Sequence, residues 1–232
     1  MYNNLIMNKV LAVVAHPDDE IIGPGGALCK HVSQGDSVYV LILGDGKSSR
    51  SEKKKIDEKV KKISFEETNK ALSVVGVTSF VRESFPDNRF DSVDILDIVK
   101  KISNYIRTIK PTIVYTHHFG DLNIDHQITS EATVTACRPI ENSCVSTIYQ
   151  FETLSSSEMG GFTQKNCFLP NVFVEITDFI DKKVNAMACY KSELHDFPHP
   201  RSLETIQANA KVWGSKVNVQ YAEAFFCLRE IK

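Results

Sequence analysis

The sequence predicts an α/β fold: one Rossmann-like domain with a mostly parallel sheet and helices on both faces. Short β-branched runs alternate with longer segments of helical period, the pattern of consecutive β-α units. The first run, Val10 to Ala15, is apolar throughout, as expected of a strand buried on both faces of a parallel sheet. The length, 232 residues, suits a single core. No repeat, low-complexity tract or linker divides the chain, so we expect one domain over 1–232. Its core spans 8–151, and a strand and helix extension over 152–232 completes the site.

The elements follow in order. After the first strand a helix fits Glu20 to Gln34, a strand Ser37 to Leu43, a charged amphipathic helix Glu52 to Val75, and a third strand Val77 to Arg82. Apolar residues at Ile95, Ile98, Val99, Ile102 and Ile106 give the next segment a helical period, and Lys110-Pro111 ends it before a strand at Thr112 to Tyr115. A helix from His126 to Ala136 and a strand from Val145 to Phe151 come next. Thr153 to Pro170 is rich in Ser, Gly and Asn and is expected to be a long loop, a kind that usually carries function. The chain ends with a strand (Val172 to Ile176), a helix (Asp178 to Tyr190), a loop holding His195 and His199, a helix (Leu203 to Gly214) and a strand (Ala222 to Leu228).

Composition excludes some classes of function. Lys and Arg number 27 against 29 Asp and Glu, a net charge of -2, so there is no basic excess to bind nucleic acid phosphates. No uncharged stretch approaches the length of a membrane span. Met1 to Asn8 does not have the character of a signal peptide, and the expected location is the cytoplasm. The 6 cysteines are scattered, with no C-x-x-C pair, which suits reduced structural thiols. Gly23-Pro24-Gly25-Gly26 lacks the final glycine of a dinucleotide fingerprint and starts too far from the strand end.

In a doubly wound sheet the ligand site lies at the carboxyl ends of the strands. The loop after the first strand reads Ala15-His16-Pro17-Asp18-Asp19-Glu20. Helix capping accounts for one or two of these carboxylates and leaves the histidine unexplained. Metal ligation by His16 and Asp19, with Asp18 free for proton transfer, accounts for both; from this loop alone the two readings stand side by side. The loop after the fourth strand, Thr116 to Gln127, holds His117, His118, Asp121, Asp125 and His126, and it opens on the same sheet edge. A third ligand is therefore in reach. Two histidines and a carboxylate suit a catalytic zinc site and a non-haem iron site equally. A free carboxylate beside them favours zinc, because a hydrolase needs a base there.

These residues resemble the PIG-L/LmbE-like zinc N-deacetylases, whose signature is A-H-P-D-D-E after the first strand and a later D-H at a loop-to-helix junction. Here these are Ala15 to Glu20 and Asp125-His126. Phe151-Glu152, Pro198 to Ser202 and Ala222 to Phe225 are similar to tail segments of bacterial sugar-modifying members. The resemblance implies an LmbE-like fold, with His16, Asp19 and His126 as metal ligands, Asp18 as general base and Asp125 as an orienting group. The implied cofactor is Zn2+, with Fe2+ or another divalent ion as the alternative. The implied substrate is an N-acetylated amino sugar, free or conjugated, and the oligomeric state stays open.

The chain departs from that pattern twice. Asn123 stands where several members have a histidine that donates to the oxyanion, so either Asn123 does this alone or His117, His118 or His199 supplies the acid. Ser64 stands where many members have a substrate-gripping Arg, three residues before Glu67. Lys47, Arg50, Arg89 and Arg201 are the available cations, and Asn88, Arg89, His118, His199 and Arg201 are the candidate substrate contacts. The competing classes are a non-catalytic, metal-containing sugar-binding protein and a non-haem iron oxygenase.

Overall fold

Val10 to Val14 have no solvent exposure, which is what their apolar run requires. The structure, a computed structural model, describes residues 7–44, 46, 58–140, 143–161, 163 and 166–232. The strands are β1 (Lys9–Val14), β2 (Ser37–Gly44), β3 (Ser79–Phe85), β4 (Ile113–His117), β5 (Thr147–Phe151), β6 (Val172–Glu175) and β7 (Ala222–Glu230). They form one seven-stranded sheet in the order β3-β2-β1-β4-β5-β7-β6. The pairs from β3 to β5 are parallel, and β7 is antiparallel to both β5 and β6. The mostly parallel sheet expected from the sequence is therefore present, with an antiparallel edge built from the C-terminal part of the chain.

Alternate residues of β1 serve opposite faces, as the strand period of two demands. Val10, Ala12 and Val14 join one apolar cluster, and Leu11 and Val13 join the other. The helices are α1 (Asp19–Ile22), α2 (Gly25–Ser33), α3 (Glu58–Val75), α4 (Ile95–Ile109), α5 (Ile124–Ala136), α6 (Ile180–Met187) and α7 (Leu203–Lys216). The α3 expected from Glu52 is described from Glu58, and its first expected turns lie outside the described residues. Strand order reverses between β1, whose chain continues to β2, and β4, whose neighbour is β5. The crevice between the ends of β1 and β4 is the switch point where such sheets bind ligands.

The single helix expected over Glu20 to Gln34 is two helices, because Gly23-Pro24 interrupts it: proline has no N–H to continue the ladder. A Cβ on Gly23 would stand 2.2 Å from the Phe151 ring, and one on Gly26 2.7 Å from Ile176, so the break passes close against β5 and the C-terminal region. A buried ion pair clamps the same point. Glu223 of β7 accepts the backbone N–H groups of Gly26 and Ala27, each at 2.7 Å, and so caps α2. Lys183 of α6 donates to Glu223 at 2.6 Å and to the carbonyls of Ile22 and Gly23, which end α1. The C-terminal extension thus fixes the angle of the helix that carries Asp19.

His31 of α2 is half-buried between Asp36 (2.7 Å) and the Tyr115 hydroxyl (3.0 Å). All six cysteines are unpaired. Among the described residues no helix is long and apolar enough to cross a membrane.

Removing one member of a buried pair leaves the other charge uncompensated, at a cost of about 3 to 5 kcal/mol. Lys183→Met should therefore lower unfolding stability by about 3 kcal/mol in urea titrations. A loss below about 1 kcal/mol would show that the two N–H donors satisfy Glu223 without the lysine.

Candidate metal centre and cleft

The loop leaving β1 turns sharply at Asp18, whose φ of 103° lies in the left-handed region that non-glycine residues rarely adopt. Two carboxylates hold the turn. Asp19 accepts the His16 backbone N–H at 2.8 Å, and Glu20 accepts that of Asp18 at 3.1 Å. Glu20 is itself fully buried and takes the Tyr190 hydroxyl at 2.5 Å; burial raises its pKa to about 7 against the hydrogen bond from Tyr190. The acids of this loop do more than cap a helix, because no side chain at all caps the short α1.

The second loop follows β4, which runs two residues further than expected and so buries His117 inside the sheet end. Asn123 caps α5 by accepting the Asp125 N–H at 2.8 Å, which starts the helix two residues earlier than expected and brings Asp125 and His126 into its first turn. His126 then faces His16 and Asp19. His126 Nε2 stands 3.3 Å from His16 Nδ1 and 3.4 Å from Asp19 Oδ2, and His16 Nδ1 stands 3.5 Å from Asp19 Oδ2. Ligands bound tetrahedrally at zinc bond lengths are separated by about 3.3 Å, so this triangle has the dimensions of three corners of such a site.

The far nitrogen of each imidazole supports the same reading. His16 Nε2 lies 2.9 Å from Asp125 Oδ2 and 3.2 Å from Asp87 Oδ1, while His126 Nδ1 lies 3.2 Å from Asp121 Oδ1. With those nitrogens donating to carboxylates, the lone pairs of His16 Nδ1 and His126 Nε2 are directed into the triangle, as ligating histidines require. Asp19 Oδ1 is buried without a hydrogen-bond partner among the described residues, which fits an oxygen reserved for a cation. The residues present therefore suit a divalent ion. A second set, His16 with Asp87 and Asp125, is also close enough, but it shares the nitrogen that His16 gives to Asp125.

Electrostatics follow from this crowding. Burial disfavours the charged form of His16, yet Asp125, Asp19 and Asp87 outweigh it and raise the pKa to about 10. His126, likewise opposed by burial, is raised to about 9 by Asp19 and Asp121. Burial also works against the Asp19 charge, and His126 and His117 overcome it and hold the carboxyl well below its usual range. The cluster is thus built to place positive charge against Asp19, which is what a metal ion does. Burial, chiefly, takes Asp18 up to about 8 in spite of Arg201.

His117 is kept out of the ligand set. Its Nε2 accepts the Ala15 N–H at 3.0 Å, its Nδ1 meets Thr153 Oγ1 at 3.0 Å, and burial and the stacked His126 lower its pKa to about 4. A neutral ring pinned at both nitrogens is not an acid. His118 is buried against Phe168 with Nε2 on the Asn166 carbonyl, and His199 packs on His195.

The cleft over the triangle is narrow, with a cavity volume of about 50 Å3, and is lined by His16, Pro17, Asp18, Gly46, Asp87, Asn88, Asn123, Glu193 and Arg201. Of the expected substrate contacts, Asn88 and Arg201 line it, whereas Arg89, His118 and His199 do not. Asn123 lines it with both ends of its amide engaged, the Nδ2 donating to Asn88 Oδ1 at 3.2 Å. Asp125 sits behind His16, where it also accepts the backbone N–H groups of Asn88 and Phe90. Lys47 and Arg50 lie outside the described residues. Beside Ser64, Arg82 from β3 brings its guanidinium within 3.2 Å of both Ser64 Oγ and Thr68 Oγ1.

The sequence assigned no role to Asp87, Asp121 or Glu193. Asp87 and Glu193 lie outside the two motifs that mark the site. Asp121 lies in the histidine-rich loop, but only the fold shows that Ser156 and Ser157, from the long loop, donate to its carboxylate and aim it at His126.

The chain is similar to several known proteins. The family model described as PIG-L, GlcNAc-PI de-N-acetylase, matches residues 11–137, more than half of the chain. The 4-oxalmesaconate hydratase of Pseudomonas putida (strain KT2440) is 26% identical over 207 residues, 83% of this chain and 76% of that protein. The diacetylchitobiose deacetylase of Thermococcus kodakarensis is 26% identical over 231 residues, 94% and 82% of the two chains. The crystal structure of the conserved protein TT1542 from Thermus thermophilus shares the fold, with a TM-score of 0.77 at 23% identity over 97% of each chain.

Outer partners of metal-bound histidines typically contribute about 10- to 100-fold in affinity. Asp121→Asn should weaken zinc binding by about that factor in competition with a chromogenic chelator. Unchanged affinity would remove Asp121 from the metal site.

Proposed function

Because the chain belongs to the PIG-L (GlcNAc-PI de-N-acetylase) family, we propose that it is a zinc-dependent N-deacetylase. The reaction is hydrolysis of the acetamide of an N-acetylated amino sugar, free or conjugated, to acetate and a free amine. One observation carries the reading: an unengaged carboxylate oxygen, Asp18 Oδ1, is buried next to the His16, Asp19, His126 triangle in a small polar cleft. An ion bound there supplies Lewis acidity, polarising the acetyl carbonyl and making a nearby water more acidic.

The chain's own residues do the rest. Asp18 takes the proton of the attacking water and returns it to the departing nitrogen, so one carboxylate serves both halves of the reaction. Asn88 and Asn123 line the rim with their amides bonded to each other, a fixed polar edge for the sugar. Asp125 and Asp121 hold the two imidazoles in orientation.

The hydratase relative supports a second reading, addition of water to an unsaturated acid. The charge of the cleft disfavours it. Apart from His16 and the ion it would hold, the described lining carries the carboxylates of Asp18, Asp87 and Glu193, and its guanidinium, Arg201, already faces two of them.

Purified, zinc-loaded protein should release acetate from at least one of a panel of free, UDP-linked and oligomeric N-acetylhexosamines, and chelator should abolish the release. Asp18→Ala should keep its zinc and lose about 100- to 10,000-fold in turnover. Sugar binding without acetate release would leave a non-catalytic binding protein. Hydration of an unsaturated oxoacid without any deacetylation would support the second reading.

A further inference from the structure

The placement of Arg201 does not suit a substrate grip. Its Nε donates to Ser155 Oγ at 2.8 Å and its Nη1 to Asp18 Oδ2 at 3.1 Å, with Glu193 Oε2 at 3.7 Å from the same Nη1. Its backbone is fixed as well. The Arg201 N–H donates to His199 Nδ1 at 3.0 Å, and the next residue, Ser202, caps α7 through the Thr205 N–H. The two side chains that the guanidinium joins belong to two of the few non-glycine residues with positive φ, Asp18 at 103° and Ser155 at 74°. Backbone held in that region persists only when its surroundings over-determine it, and such strain gathers at functional sites.

We infer that Arg201 is a positioning residue for Asp18: it engages Oδ2 so that Oδ1, buried and without a partner among the described residues, is the atom that takes and returns the proton. The guanidinium fork suits the task, because it can hold Ser155 through Nε and Asp18 through Nη1 at fixed separation. The His/Pro loop of the C-terminal extension then contributes to catalysis by aiming the base, with no contact to the sugar. This role rests on the deacetylase reading.

The test compares Arg201→Met, Arg201→Lys and Ser155→Ala with the native chain, each zinc-loaded. Displacement of a catalytic group by about 1 Å can cost about 100-fold in rate. Arg201→Met should lower kcat by about 30- to 100-fold with KM within about threefold. Arg201→Lys should recover only part of that loss, since an ammonium restores the charge without the fork. Ser155→Ala should lower kcat by about three- to tenfold at unchanged KM. A rise in KM with kcat preserved would make Arg201 a substrate contact, and unchanged kinetics would leave it no role; either result overturns the inference. A crystal structure of Arg201→Met, which needs no turnover, should show the Asp18 carboxylate rotated from its native position, and an unmoved carboxylate would equally overturn it. If the native chain releases no acetate from any sugar in the panel, the deacetylase reading fails, whereas the crystallographic comparison still decides whether Arg201 fixes Asp18.

Discussion

Asp19 has no solvent exposure, and a carboxylate in that position must be surrounded by positive charge and hydrogen-bond donors or it would not be ionised. Its Oδ2 accepts the His16 backbone N–H and faces three imidazole nitrogens, those of His16, His117 and His126, at 3.4 to 3.5 Å; His117 turns an acceptor nitrogen inward, so the balancing positive charge must come from the His16 and His126 rings or from a cation they hold. The fold is arranged around meeting that requirement. The loop after β1 supplies the carboxylate and one ring, and the end of β4 with the first turn of α5 supplies the other two. A parallel sheet whose order reverses between β1 and β4 is what brings these two loops together.

Each ring in turn needs its outer nitrogen occupied, and the demand spreads outward. Asp125 serves His16 and also ties down the Asn88 and Phe90 backbone; Asp121 serves His126 and is held by Ser156 and Ser157; Thr153 serves His117. The long loop after β5 is therefore part of the support of the candidate ligands, and its Ser155 accepts from Arg201, which holds Asp18. The C-terminal extension closes the arrangement from the other side. Lys183 and Glu223 lock the break between α1 and α2, Tyr190 holds Glu20, and Arg201 holds Asp18. Residues from about 150 onward bear none of the candidate ligands, yet they touch nearly every group that positions one.

What could be read in the sequence follows from the range of the interactions. The alternation of strands and helices, the buried first strand and the candidate ligands His16, Asp19 and His126 were legible because each rests on local pattern or on a motif at a loop-helix junction. The break at Gly23-Pro24 was also written locally, but the helical period across it hid the break. The antiparallel placement of β7 between β5 and β6 depends on pairing across more than 70 residues and had no local sign. Within the site, a histidine in a charged loop had the same appearance whether it faced the cleft, as His16 does, or a hydrophobic wall, as His118 does. Arg89 and Arg201 were equal candidates by sequence; Arg89 is exposed and outside the cleft, while the cap of α7 by Ser202 carries Arg201 into it.

The central claim is that His16, Asp19 and His126 hold a divalent ion through the inward nitrogens of the two rings. Diffraction data collected above and below the zinc edge from crystals of the purified, zinc-loaded protein test it most directly. The account predicts one anomalous peak within about 2.0 to 2.2 Å of His16 Nδ1, His126 Nε2 and an Asp19 oxygen. A peak on the other side of His16, between Nε2, Asp87 and Asp125, or the absence of any peak at the triangle, would contradict it.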